Sequence, residues 1–307
     1  MAYLKAFGKY LPGRVVENQE IGGMVETEAE WIRNVSGIEQ RRFAGAEETV
    51  ADMGHSAARD CLERADVSPA EVGLILTSSG STERSFPGPA ATIAAKLGLD
   101  ATPAIDLPIA SAGSVFALSL ASRLTAVYRN ILVVASEKMS TVVLRQPLDR
   151  GVAPLFGDGA GACLVSESEG KARVLDSAIH SDGAFSEDLR LAFDRPLEMN
   201  GRSVILQASR KIPRAIQEVL ESCGRTAAEI DTFLMHQANQ NLINRVAQAV
   251  GVPEAKFFSN IARCGNTSSA SMLIAAAEWD AFRAGASVVF AGFGAGFHWG
   301  AMLVEGV

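Results

Sequence analysis

The chain has 307 residues, 48% of them apolar and 21% charged, with a formal net charge of −7 at pH 7. That length suits two packed or duplicated halves better than one core, and a core of this size needs neither disulfide nor metal. The acidic balance disfavours nucleic acid as a partner. No apolar run reaches the ~18 residues of a membrane span. The first residues carry no basic-then-apolar signal pattern, so a cytoplasmic location is expected. Cys61, Cys163, Cys223 and Cys264 show no CxxC spacing and no His-rich surroundings. Free thiols in a reducing compartment are expected from them, rather than zinc or a disulfide framework.

In chain order, apolar spacing predicts a helix over 50–64 and a buried strand at Val72–Leu76, which runs into the turn Thr77-Ser78-Ser79-Gly80. A strand at Ala104–Leu107, a helix over 114–128 and a strand at Ile131–Ala135 follow. Arg202, Arg210, Lys211 and Arg214 fall on a further helix. They form either a patch for a phosphate or acidic carrier protein, or a solvated face. Strands at Thr232–Met235 and Val288–Ala291 complete the pattern. Strands alternating with helices define an α/β protein.

The pattern repeats. The strand Leu74-Ile75-Leu76 before a polar turn is echoed by Thr232–Met235 before His236. Ser111 is echoed by Ser268, and Ile131–Val134 by Val288–Ala291, both at an offset of 157. Gly161–Val165 is echoed by Gly300–Val304 at an offset of 139. Two similar halves, 1–165 and 166–307, account for all four echoes.

Four turns after strands carry small or polar residues, where open α/β sheets place ligands. Ala110-Ser111-Ala112-Gly113 opens a helix, so Ser111 is either a helix cap or a nucleophile favoured by the helix dipole. His236-Gln237-Ala238-Asn239 ends a strand, and its imidazole can move a proton or bond a developing oxyanion. Gly265-Asn266-Thr267-Ser268 offers a carboxamide donor or a helix cap. Gly292-Phe293-Gly294-Ala295-Gly296 can turn main-chain N–H groups toward a ligand or simply join two strands. It lacks the helix of a dinucleotide fingerprint and the Lys-Ser/Thr of a P-loop.

Together with Phe156-Gly157-Asp158-Gly159-Ala160-Gly161-Ala162 and Phe293-Gly294-Ala295-Gly296-Phe297-His298-Trp299-Gly300, these segments occur in the order seen in β-ketoacyl-acyl-carrier-protein synthase III. The chain resembles that family along essentially its whole length. The resemblance implies a duplicated thiolase fold, with two similar βαβαβ-type halves in five α-β-α-β-α layers. It implies a homodimeric acyltransferase that takes an acyl group from acyl-CoA and condenses it with malonyl-acyl carrier protein. No cofactor is implied beyond the coenzyme A thioester, which is a substrate. His236 and Asn266 would bond the thioester carbonyl of the second substrate and stabilise its enolate. Main-chain N–H groups of Ser111 and Ala295 would form the oxyanion hole. Phe86 would reach into the partner's acyl pocket, and Trp31 and Arg150 would hold the coenzyme A adenine.

The chain departs from the family at the nucleophile, which is Ser111 and not cysteine. Val35 stands where many members carry arginine, and Leu206 and Asn241 where basic residues would meet the carrier. Weak or altered carrier recognition follows. A helix dipole worth roughly 1 kcal/mol does not ionise an alcohol. Ser111 therefore needs a base, and among the motif residues that base would be His236. The alternatives are a non-acylating malonyl-thioester decarboxylase, an inactive partner subunit, an engineered Cys-to-Ser form, or a binding protein that keeps the fold.

Overall fold

The computed structural model describes residues 1–307. In chain order it holds β1 (Tyr3–Tyr10), β2 (Arg14–Glu17), α1 (Asn18–Met24), α2 (Ala29–Ser36), β3 (Gln40–Phe43), α3 (Val50–Ala65), β4 (Leu74–Ser78), α4 (Pro89–Lys96) and β5 (Ala104–Leu107). Then come α5 (Gly113–Tyr128), β6 (Asn130–Glu137), α6 (Ser140–Val143), β7 (Gly159–Ser166), β8 (Ala172–Ser181), β9 (Leu189–Arg190), β10 (Glu198–Met199) and α7 (Gly201–Ser222). The last elements are β11 (Thr232–Met235), α8 (Gln240–Val250), α9 (Ile261–Cys264), α10 (Ser271–Trp279), β12 (Ser287–Gly294) and β13 (His298–Gly306).

Nine strands form one mixed ladder in the order β11-β12-β13-β8-β1-β7-β6-β4-β5. Read outward from the β8–β1 junction, the two arms have the same pattern: antiparallel, antiparallel, then parallel. β5 has no counterpart and is left as an edge strand.

Strand alternation builds the layers, because successive side chains leave opposite faces of a sheet. In β6, Leu132 and Val134 pack outward against α3 and α4. Ile131, Val133 and Ala135 face inward, onto α5 and α10. In β12, Val288 and Phe290 face the same central layer, while Val289 and Ala291 pack outward on α7 and α8. Two helices therefore lie between the two arms of the sheet, and α3 and α4 on one side and α7 and α8 on the other cover the outside, which gives the five expected layers.

The predicted elements fall where the spacing put them, with small shifts at the ends. Val72 stays outside β4 because its N–H closes a tight turn onto the Pro69 carbonyl. Lys211 leaves the basic cluster of α7: its ammonium bonds Asp182 at 2.6 Å and lies 4.0 Å over the Trp299 ring. The four thiols are free; Cys61, Cys163 and Cys264 are buried and Cys223 is half-buried. No helix is long and apolar enough to cross a membrane.

Candidate active site

Ser111 sits in the turn that carries the chain from β5 into α5, with a backbone φ of +60°. A non-glycine residue in the left-handed region is uncommon and is held there by its surroundings. The end of β12 presses on the turn: a Cβ added at Gly294 would lie 2.3 Å from the Ala110 carbonyl oxygen and 2.8 Å from Ser111 Cβ. Only glycine permits that approach.

His236 follows β11, and its N–H extends the ladder onto the Ala291 carbonyl at 2.8 Å. Its Nδ1 is 2.6 Å from Ser271 Oγ, which also accepts the Gln237 N–H at 3.0 Å. That fixes the ring. Burial lowers the imidazole pKa to about 4, opposed only in part by a hydrogen bond with the Ser268 main chain, so the ring is neutral at physiological pH. The other motif residues serve the frame. Gln237 bonds the Met235 and Phe258 carbonyls. Asn239 caps α8 by accepting from Asn241 N–H at 2.8 Å.

Asn266 spans the two halves: its N–H bonds the Leu155 carbonyl at 2.9 Å and its carbonyl accepts from Gly157 at 3.1 Å. Its Oδ1 accepts the Ser268 N–H at 2.8 Å, which leaves the amide Nδ2 as the free donor. Ser111, His236 and Asn266 line one narrow cavity of about 90 Å³. Most of its other lining is apolar, from Phe156, Leu189, Met199, Val204 and Phe293 among others. The sequence-predicted trio thus converges, although its members are far apart in the chain.

Two expectations need adjusting. The Ser111 N–H, expected in the oxyanion hole, donates to Ser268 Oγ at 3.0 Å, and its single hydrogen is used there. Ser111 Oγ has no hydrogen bond to His236; its side-chain neighbour is Ser268 Oγ at 3.5 Å. Phe86, Trp31 and Arg150 lie outside this cavity, as a residue for the partner's pocket and two for an adenine would. Phe86 is 84% exposed and Trp31 45%. Ala295 sits half-buried in the β12–β13 turn beside Gly294.

Sequence reasoning missed Glu137, which is fully buried at the end of β6. Its signal was present: a lone carboxylate closing an apolar strand must find partners or not be buried. Ser268, noticed only as an echo of Ser111, also has a left-handed backbone, with φ +48°.

A buried hydroxyl, imidazole and carboxamide at the meeting of two duplicated α/β halves is the layout of a thiolase-fold condensing enzyme. Comparison with known proteins agrees. Residues 105–183 match the family described as 3-oxoacyl-[acyl-carrier-protein (ACP)] synthase III, and residues 220–306 match its C-terminal part. The chain is 36% identical over 310 residues to β-ketoacyl-[acyl-carrier-protein] synthase III 1 of Vibrio vulnificus, covering 97% of each protein. The crystal structure of 3-oxoacyl-[acyl-carrier-protein] synthase III from Aquifex aeolicus superposes with a TM-score of 0.94 at 34% identity, over 99% of this chain and 100% of that one. The priming β-ketosynthase of the R1128 polyketide pathway gives a TM-score of 0.92 at 32% identity, over 100% and 96% of the two chains. The chain belongs to the β-ketoacyl-acyl-carrier-protein synthase III family.

Proposed function

We propose that this family member carries an acyl group on Ser111, taken from an acyl-CoA or acyl-carrier-protein thioester, in fatty-acid or polyketide-type biosynthesis. The observation that carries the reading is the placement of Ser111: a strained turn at the start of α5, on the wall of a narrow apolar cavity shared with His236 and Asn266. A cavity of that shape fits a thin thioester arm better than a bulky substrate.

In this reading the Ser111 oxygen attacks the thioester carbon and the thiol leaves. The Ala295 N–H faces the oxygen that becomes negative. His236, in the tautomer that carries its proton on Nε2 with Nδ1 accepting from the Ser271 hydroxyl 2.6 Å away, then joins Asn266 Nδ2 in binding the second thioester's carbonyl. Two neutral donors stabilise the enolate left by decarboxylation without protonating it. Trp31 and Arg150 hold the coenzyme A adenine at the rim, supported by the packing of α2 on α8 and on the segment after Arg150.

A carrier protein meets an altered surface. Asn241 bonds the Asn34 and Val35 carbonyls. A neighbouring groove with Arg202 and Arg245 over Ile205 and Leu206 shares Ile205 with the cavity, and supplies the positive charge instead. A homodimer pairing the free edge of β5 would bring Phe86 to the partner's acyl pocket. The unpaired edge and the 47% exposure of Ile105 on it support that pairing.

The test is an intact-mass scan after incubation with a series of acyl-CoA donors. An adduct mapped to the Ser111 peptide is expected. Carbon dioxide released from malonyl thioester with no adduct would instead identify a non-acylating decarboxylase, a reaction for which His236 and Asn266 suffice.

A further inference from the structure

The nucleophile reading leaves one problem open: an alcohol must lose its proton, and His236 does not touch it. The hydrogen bonds around Ser111 lead elsewhere. Ser268 Oγ accepts the Ser111 N–H at 3.0 Å and donates its own hydrogen to Glu137 Oε1 at 2.9 Å. A hydroxyl has one hydrogen. At the 3.5 Å contact between the two serine oxygens, Ser111 is therefore the donor and Ser268 the acceptor. That distance is long for such a bond, as catalytic contacts often are before substrate closes them.

Glu137 is placed to end this chain. Oε1 accepts from the hydroxyls of Ser268 and Ser269 and from the Ser269 N–H. Oε2 accepts from the Ser79 and Ser81 hydroxyls and the Gly80 N–H. Every partner can donate to it, two of them main-chain amides that cannot reverse, so both carboxyl oxygens are placed as acceptors. A full negative charge with no cationic partner is a costly thing to bury. It is linked through one hydroxyl to the oxygen that must be deprotonated.

We propose that Ser268 is a catalytic residue that takes the Ser111 proton, and that Glu137 is the positioning residue that draws it away. The inference rests on Ser111 being the acyl carrier. As the Ser111 oxygen bonds the thioester carbon, its proton passes to Ser268 Oγ while the Ser268 proton passes to Glu137. When the carbon–sulfur bond breaks, Glu137 returns its proton to Ser268 Oγ, Ser268 passes its own to the departing sulfur, and coenzyme A leaves as its thiol. Nothing is oxidised or reduced. The two elbow residues of the duplicated halves thus share one proton, and His236 is left neutral for the second substrate.

The test measures coenzyme A release and Ser111 acylation with acetyl-CoA and longer acyl-CoA donors. The proteins are the full chain, Ser268→Ala, Glu137→Gln, and Ser268→Ala made in a Ser111→Cys background. Ser268→Ala is expected to slow acylation of Ser111 by about 10²–10⁴-fold, the usual range for a lost proton acceptor. A thiol ionises near pH ~8.5 without help, so the same change in the Ser111→Cys background is expected to alter acylation by less than about threefold. A merely structural role would depress both backgrounds alike, and that result overturns the relay, as does full Ser111 acylation in Ser268→Ala. If Glu137→Gln does not fold, the paired Ser268→Ala measurements still decide. An unacylated parent protein is a separate outcome, which ends the nucleophile reading itself and the relay with it.

Discussion

Ser111 and Ser268 lie 157 residues apart, both in the left-handed backbone region, with the Ser111 N–H bonded to the Ser268 hydroxyl at 3.0 Å. They are equivalent positions of the two halves, and the near-twofold arrangement of the fold brings them face to face. Duplication therefore supplies the site with two small hydroxyls where one half alone would supply one. The mirrored strands place His236 and Asn266 at the same cavity.

Removing the second-substrate donors should separate the two halves of the reaction. His236→Ala or Asn266→Ala is expected to lower condensation by about 10²–10³-fold, the usual loss for one donor to a developing oxyanion. Acylation of Ser111 should survive in His236→Ala, because the two side chains are not bonded. Single-turnover acylation and steady-state condensation, measured on the same samples, check this. Equal loss in both would place His236 in the acylation step.

Burial of a neutral His236 gives stability a defined pH dependence. Its folded pKa of about 4 lies below the ordinary histidine value. Near neutrality the residue is uncharged in both states and contributes no pH dependence. As pH falls below ~6.5 the unfolded chain binds a proton that the folded chain refuses, so stability drops until the folded ring titrates near 4. His236→Gln should therefore lose about 2 kcal/mol less than the parent between pH 7 and 5. Denaturant midpoints at the two pH values measure it.

The packing of β12 on the Ser111 turn makes Gly294 intolerant. Gly294→Ala puts a methyl 2.3 Å from the Ala110 carbonyl oxygen. A cost of about 1–3 kcal/mol and a displaced Ser111 are expected, as in other overpacked sites. Gly13 has no neighbour within 4 Å of its added Cβ, and Gly13→Ala should stay within about 0.5 kcal/mol of the parent. Thermal unfolding of the pair gives the contrast.

Charge on the outer groove should matter only for a carrier-borne substrate. Arg202→Glu with Arg245→Glu is expected to raise KM for an acyl-carrier-protein thioester, and to weaken the salt dependence of its association. The corresponding coenzyme A thioester should be turned over as before. An unchanged carrier KM would move the docking surface elsewhere.

Much was legible in the chain itself. Apolar runs such as Ile131–Ala135 and Val288–Ala291 read as strands buried on both faces, because they are short, rich in branched side chains and bounded by polar or glycine turns. Two echoes at the shared offset of 157 pointed to the duplication, and His236 stood out as a polar group where an apolar strand ends, whereas Asn266 turned out to follow the short helix α9. Those features are local, and local patterns survive in one dimension. Partnership is not local. Glu137 and Ser268 are 131 residues apart, and their bond follows from how β6 meets the second half across the central layer. Folding also withdrew Lys211 from its basic cluster and used the Ser111 N–H within the chain. Sequence determined which groups could do chemistry; the tertiary structure decided which of them touch, because hydrogen-bond geometry depends on ångström distances that spacing along a chain does not encode.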